Sequence, residues 1–114
     1  MQLPHPLPED LVELIARRFR VIGEPMRIRL LYRLRDEEEA TVNDLADAVG
    51  ASQQNVSKHL TVLADAGILA RRKEGTYVYY RIADPGVFAL CEQVCGSLQE
   101  QLRVLDGLIG GSRR

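Results

Sequence analysis

Between Ser52 and Tyr77 the chain gathers side chains suited to hydrogen-bonding bases and neutralising phosphates. Gln53, Gln54 and Asn55 carry amides that donate and accept at once, the pairing that an adenine edge offers in the major groove of DNA. Lys58 suits guanine or a phosphate, and Ser57 suits either kind of contact. Further on, Arg71, Arg72 and Lys73 form a basic run ahead of Gly75-Thr76, with Tyr77 just beyond it. Such a run can lie on a phosphate backbone or enter a minor groove, and it can equally be a charged strand edge that blocks aggregation. His59 can contact a phosphate or a base, or flank a core beside Leu60. The same polar types are common on any solvated helix face, so the reading depends on the elements that position them.

Those elements follow from periodicity and punctuation. Leu3 to Pro8 is Pro-rich and extended. Leu11, Leu14, Ile15, Phe19 and Ile22 recur at helical spacing, with acids first and Arg17, Arg18 and Arg20 towards the end, until Gly23. Pro25 suits the first turn of a second helix with Ile28, Leu31 and Leu34 as its buried stripe. Thr41 and Asp44 resemble a capping box for a third helix that turns Val42, Leu45, Ala46 and Val49 inward and ends at Gly50. Ser52 caps a fourth, which buries Val56, Leu60 and Leu63 and stops at Gly67. Its N-terminus offers free N–H groups to an anion, so Ser52 can anchor a phosphate while capping. Ile68–Glu74 and Tyr77–Ile82 are β-rich runs around a two-residue turn, with Val78, Tyr80 and Ile82 sharing the core face and Tyr77 and Tyr79 outward. A last helix runs from about Pro85 to Asp106, ahead of a frayed tail containing Gly107, Gly110, Gly111, Arg113 and Arg114.

Two short helices about a tight turn, then a basic hairpin, spell a winged helix-turn-helix: mainly α with a small β-hairpin, about five helices plus a two-stranded wing. At 114 residues and 46% apolar the chain suffices for one domain with a modest core, of a size often completed by a dimer interface. The net charge of −1 speaks weakly against nucleic acid, but its distribution matters more. From Ser52 to Ile82 five bases stand against Asp65 and Glu74, a local balance of +3. Asp36-Glu37-Glu38-Glu39 reads as a solvated loop with no assigned function. No membrane span or secretory leader is expected, which points to the cytoplasm. No glycine-rich phosphate loop or nucleophile set suggests an enzyme, and no cofactor is expected.

The segments Gly23–Leu31, Asp44-Leu45-Ala46, Ser52–Leu63, Gly67-Ile68-Leu69 and Glu74–Ile82 together resemble the ArsR/SmtB family of small winged-helix repressors, over roughly residues 10–105. The resemblance implies a homodimer joined through its first and last helices, a near-palindromic operator in double-stranded DNA, and release by an inducer. The chain is then one DNA-binding domain over 1–114: a lead at 1–8, dimerisation helices at 9–22 and 85–106, the helix-turn-helix at 41–66 and the wing at 68–82. The DNA contacts so expected are Ser52, Gln53, Gln54, Asn55, Ser57, Lys58, His59, Arg71, Arg72, Lys73 and Tyr77; the dimer seam is expected at Leu11, Ile15, Phe19, Phe88, Cys91, Cys95, Leu98, Leu102 and Leu105. Metal-sensing members of the family place Cys-x-Cys where Thr41 and Asn43 stand, and an Asp/His/His/Glu zinc site where Asp84, Gly86, Ser97 and Glu100 stand. With no thiolate at the first and no imidazole at the second, no metal sensor of either kind is expected.

Cys91 and Cys95 lie four apart on the last helix and so share a face. They can form a thiol switch, or a site for persulfide chemistry or a soft ion such as arsenite. They can equally pack as small hydrophobes in a seam that steps by three and four through Phe88, Leu98, Leu102, Leu105 and Ile109. A winged-helix module that binds protein instead of DNA is the remaining alternative, and it predicts an apolar or acidic exposed face on the fourth helix.

Overall fold

The computed structural model describes residues 2–108; Ile109 and the Gly110, Gly111, Arg113 and Arg114 tail lie outside the described residues. The chain divides into two units, Met1–Asp84 and Pro85–Arg114.

In the first unit, α1 (Glu9–Ile22) begins directly after the Pro-rich lead, with Glu9 and Asp10 in its first turn and Arg20 in its last, charges that complement the helix dipole. α2 (Pro25–Arg35) starts with proline, and the Glu24 side chain caps it by accepting from the Met26 N–H. Its buried stripe is Leu30, Leu31 and Leu34, whereas Ile28 is exposed. The expected stripe is therefore corrected at one position: α2 is rotated so that adjacent leucines both face the core.

α3 (Val42–Val49) and α4 (Gln53–Asp65) form the helix-turn-helix. Thr41 Oγ1 accepts from the Asp44 N–H and Ser52 Oγ accepts from the Asn55 N–H, each at 3.1 Å, so both N-caps act as their residue types predict. Gly50 ends α3 at φ 68°, a left-handed position that a side chain would strain. Val56, Leu60 and Leu63 are fully enclosed, and Leu45 and Ala46 of α3 are buried as well.

β1 (Ala40–Thr41), β2 (Leu69–Glu74) and β3 (Tyr77–Ile82) form one antiparallel sheet in the order β1-β3-β2. The two-stranded wing expected from sequence thus gains a third strand, Ala40 opposite Tyr80 and Thr41 opposite Tyr79. Glu74 opposite Tyr77 leaves Gly75-Thr76 as a two-residue loop. Gly75 has φ 62° and, among the described residues, no non-glycine has positive φ, the pattern of a type II′ turn, whose twist matches that of the strands. On β3, Tyr80 is buried and Tyr77 exposed, as the alternation requires.

The described part of the second unit is α5 (Gly86–Leu108), which continues through Gly107 rather than ending at Asp106. Leu98, Leu102 and Leu105 are each more than half exposed, an apolar row along a single helix. Among the described residues no helix is long and apolar enough to cross a membrane.

Candidate nucleic-acid interface

α4 has two faces with different chemistry. Val56, His59, Leu60 and Leu63 are its buried residues, spaced by three and four, and they fix which side of the helix faces outward. On the other side Gln53, Gln54, Asn55 and Lys58 are exposed, with Ser57 half-buried beside them. Gln54 and Lys58 are four apart and so share one face, exposed and with no side-chain partner among the described residues, so that their polar groups are available to base edges. Capping uses one acceptor lone pair of the Ser52 hydroxyl and leaves its O–H free to donate to a phosphate at the helix N-terminus.

His59 does not belong to that outer row. It is 8% exposed, and its Nδ1 accepts from Arg27 Nε at 3.1 Å; Arg27 Nη1 donates in turn to the Val21 carbonyl at 3.0 Å. The expected DNA contact is corrected to a buried brace that links α4 to α2 and to the end of α1. At the other end of α4, Arg18 Nη2 donates to the carbonyl of Ala66, the C-cap residue, at 3.0 Å. Arg18 Nη1 is bonded to Asp84 Oδ2, also at 3.0 Å.

The wing sorts its bases by sheet face. Directly opposed residues of an antiparallel pair project to the same side. Arg71 opposes Tyr80 and Lys73 opposes Val78, which places both on the sheet face that carries the core tyrosine, but beyond the core, where they are exposed and make no ion pair among the described residues. Arg72 opposes Tyr79 on the reverse face. There its guanidinium lies 4.5 Å from the Tyr79 ring centroid and grips Glu39 with two bonds, Nε–Oε2 at 3.0 Å and Nη2–Oε1 at 2.7 Å. A further bond joins it to Glu74. The hydrogen bonds from Arg72 hold the Glu39 carboxyl below the usual carboxylate range, and those to Glu39 and then Glu74 raise Arg72 further. Arg72, expected on phosphate, is instead already engaged, and the acidic loop is not merely solvated: Glu37 pairs with Arg33 and Glu39 with Arg72.

A cleft of about 360 Å³ runs between the starts of α3 and α4 and the wing tip, with Thr41, Asn43, Gln53, Thr76 and Tyr77 on its walls. Sequence reasoning singled out Gln53 and Tyr77 as contacts but not Asn43 or Thr76. Thr76 sits in a turn that was legible, whereas the approach of Asn43 depends on β1 pairing. Where ArsR/SmtB-type metal sites would lie, the donors do not fit a metal: Thr41 caps α3, Asn43 lines the cleft, and Asp84 is bonded to Arg18. Among the described residues no cluster of three or more His, Cys, Asp or Glu could hold an ion.

On α5, Cys91 is half-buried and Cys95 exposed, and burial raises the Cys91 thiol above its ordinary value. Of the residues expected at a dimer seam, Leu11, Ile15, Phe88 and Cys91 are half-buried, whereas Phe19, Cys95, Leu98, Leu102 and Leu105 are exposed.

Comparison with known proteins agrees with this geometry. A helix-turn-helix domain family model matches residues 22–72. The HTH-type transcriptional regulator KmtR of Mycobacterium tuberculosis (strain ATCC 25618 / H37Rv) is 38% identical over 84 residues, 74% of this chain and 64% of KmtR, so the chain spans less than two thirds of that relative. The crystal structure of AntR, an antimony-specific transcriptional repressor, superposes with a TM-score of 0.73 at 33% identity, covering 84% of this chain and 86% of AntR. The homodimeric winged helix-turn-helix DNA-binding domain of a possible ArsR-family regulator from Mycobacterium bovis gives 0.69 at 31% identity, covering 82% of this chain and 85% of that domain.

Proposed function

Because the chain belongs to the ArsR/SmtB family of winged helix-turn-helix transcriptional regulators, we propose that it is a homodimeric repressor that binds a near-palindromic operator in double-stranded DNA. One observation carries the reading: the buried quartet of α4 turns Gln53, Gln54, Asn55 and Lys58 outward beside a wing whose Arg71 and Lys73 are exposed and make no ion pair among the described residues. The amides address base edges, Ser57 and Lys58 address bases or phosphates, and Ser52, Arg71, Lys73 and Tyr77 address the backbone. Two such heads reach successive major grooves about 34–36 Å apart when a dimer spaces them one helical turn apart. The apolar rows on α1 and α5, including Phe19, Leu98, Leu102 and Leu105, supply surface for that dimer. Work on the chromosome places the protein in the cytoplasm, and binding alone accounts for its activity without catalysis.

A polar and cationic outer face on α4 favours nucleic acid over a protein partner, which would call for an apolar or acidic one. Control through Cys91 and Cys95 gains no support from the raised Cys91 thiol, since the thiolate is the form that reacts and binds soft ions. The antimony specificity of AntR is therefore not carried over.

A gel-shift assay on the protein's own promoter region across a salt series tests the reading. Steep salt dependence with sequence preference surviving excess random DNA is expected. Failure to shift the fragment at low salt overturns it.

A further inference from the structure

The wing carries three consecutive bases, yet they are not equivalent. Arg71 and Lys73 are exposed with no ion pair among the described residues, while Arg72, on the opposite face of the same strand, is held by Glu39, by Glu74 and by the Tyr79 ring. Glu39 lies just ahead of β1, 33 residues from Arg72 in sequence, so their contact ties the loop between α2 and β1 to the wing hairpin. We propose that Glu39 is a specificity-determining positioning residue: its grip on Arg72 fixes the wing against the edge strand and withholds one positive charge per protomer from DNA phosphates.

The charge balance gives the physical reason. Arg72 with Glu39 and Glu74 sums to −1, and Arg81, on the same sheet face and close enough to act on Glu39, brings that face to neutral, so an approaching phosphate meets no net positive group there and no free guanidinium at Arg72. The fork-to-carboxylate geometry is one that Arg favours, and the stacked ring limits its swing. Each phosphate contact adds strength to binding on any sequence, because counterion release does not depend on bases. A free Arg72 would therefore raise binding to random DNA as well as to operator and narrow the margin between them. Withholding it leaves a larger share of the discrimination to Gln53, Gln54 and Asn55 on α4.

The inference rests on the DNA-binding reading, and the two fail differently. The test uses the full chain and a random-sequence duplex in fluorescence anisotropy between 50 and 200 mM salt, with Glu39→Gln, Arg72→Gln and the double variant. Freeing Arg72 adds about 0.9 to the slope of log K against log salt per wing, or about 1.8 per dimer, and so about a 12-fold greater loss of affinity over that fourfold salt range. Glu39→Gln, which leaves Arg72 its bond to Glu74, is expected to show part of this steepening together with tighter binding at 50 mM, and adding Glu74→Gln to it is expected to show the whole. Arg72→Gln is expected to keep the wild-type slope, and the Glu39→Gln/Arg72→Gln double variant to return to it. A lower slope for Arg72→Gln, or an unchanged slope for Glu39→Gln, overturns the inference while leaving DNA binding intact. Absence of wild-type binding at 50 mM overturns the DNA reading and the inference with it.

Discussion

Replacing Arg27 by Met tests whether the brace to His59 supports the reading helix. The substitution keeps an aliphatic stem but removes both donors, leaving the nearly buried Nδ1 of His59 and the Val21 carbonyl without their partners. A buried polar group left unsatisfied costs about 1–3 kcal/mol, and water reaching the half-buried Arg27 position offsets part of this for Val21. A total of about 2 kcal/mol is expected. For a domain of this size each kcal/mol moves Tm by about 4–8 °C, so the drop should be about 8–16 °C. Thermal melts followed by circular dichroism, at one protomer concentration because dimerisation adds to stability, give the number. The sharper measurement is a cycle with His59→Leu. Removing both partners leaves no orphaned imidazole, so Arg27→Met/His59→Leu should be more stable than the summed single effects by about 1–2 kcal/mol. Additive losses, or an Arg27→Met cost below about 0.5 kcal/mol, would refute the brace.

Two further outcomes follow from other parts of the molecule. Leu102→Glu puts a charge in the exposed apolar row of α5 and should shift the protein from dimer to monomer in sedimentation; a dimer of unchanged affinity would remove α5 from the interface. In a Cys95→Ser background, iodoacetamide should modify Cys91 with a pH midpoint above that of a fully exposed peptide thiol measured alongside, because burial disfavours the thiolate there; a midpoint at or below that of the exposed thiol would revive a reactive-thiol role.

Local signals wrote much of this fold. Thr41 and Ser52 announced two helix starts, Gly50 and Gly75 announced two reversals, and the alternation along Tyr77–Ile82 announced which tyrosine is buried. What escaped depends on partners distant in sequence. β1 is two residues long and has no pattern of its own; it exists because Ala40 and Thr41 pair with Tyr80 and Tyr79. Residue type alone sent His59 and Arg72 to DNA, but Arg27 meets the first across 32 residues and Glu39 the second across 33. No local window holds both members of either pair. The α2 stripe was misread at Ile28 because Leu30, Leu31 and Leu34 offer an overlapping helical pattern.

A helix of 3.6 residues per turn rotates about 100° with each residue, so a recognition helix conveys information only if its phase about its own axis is fixed. In α4 that phase is held from behind, by Val56, Leu60 and Leu63 in the core, by the His59 brace and by Arg18 at the C-cap. Nothing in that support uses the side chains of Gln53, Gln54 or Lys58. The outer row can therefore be rewritten one letter at a time, changing the sequence that is read while the frame that aims it stays in place.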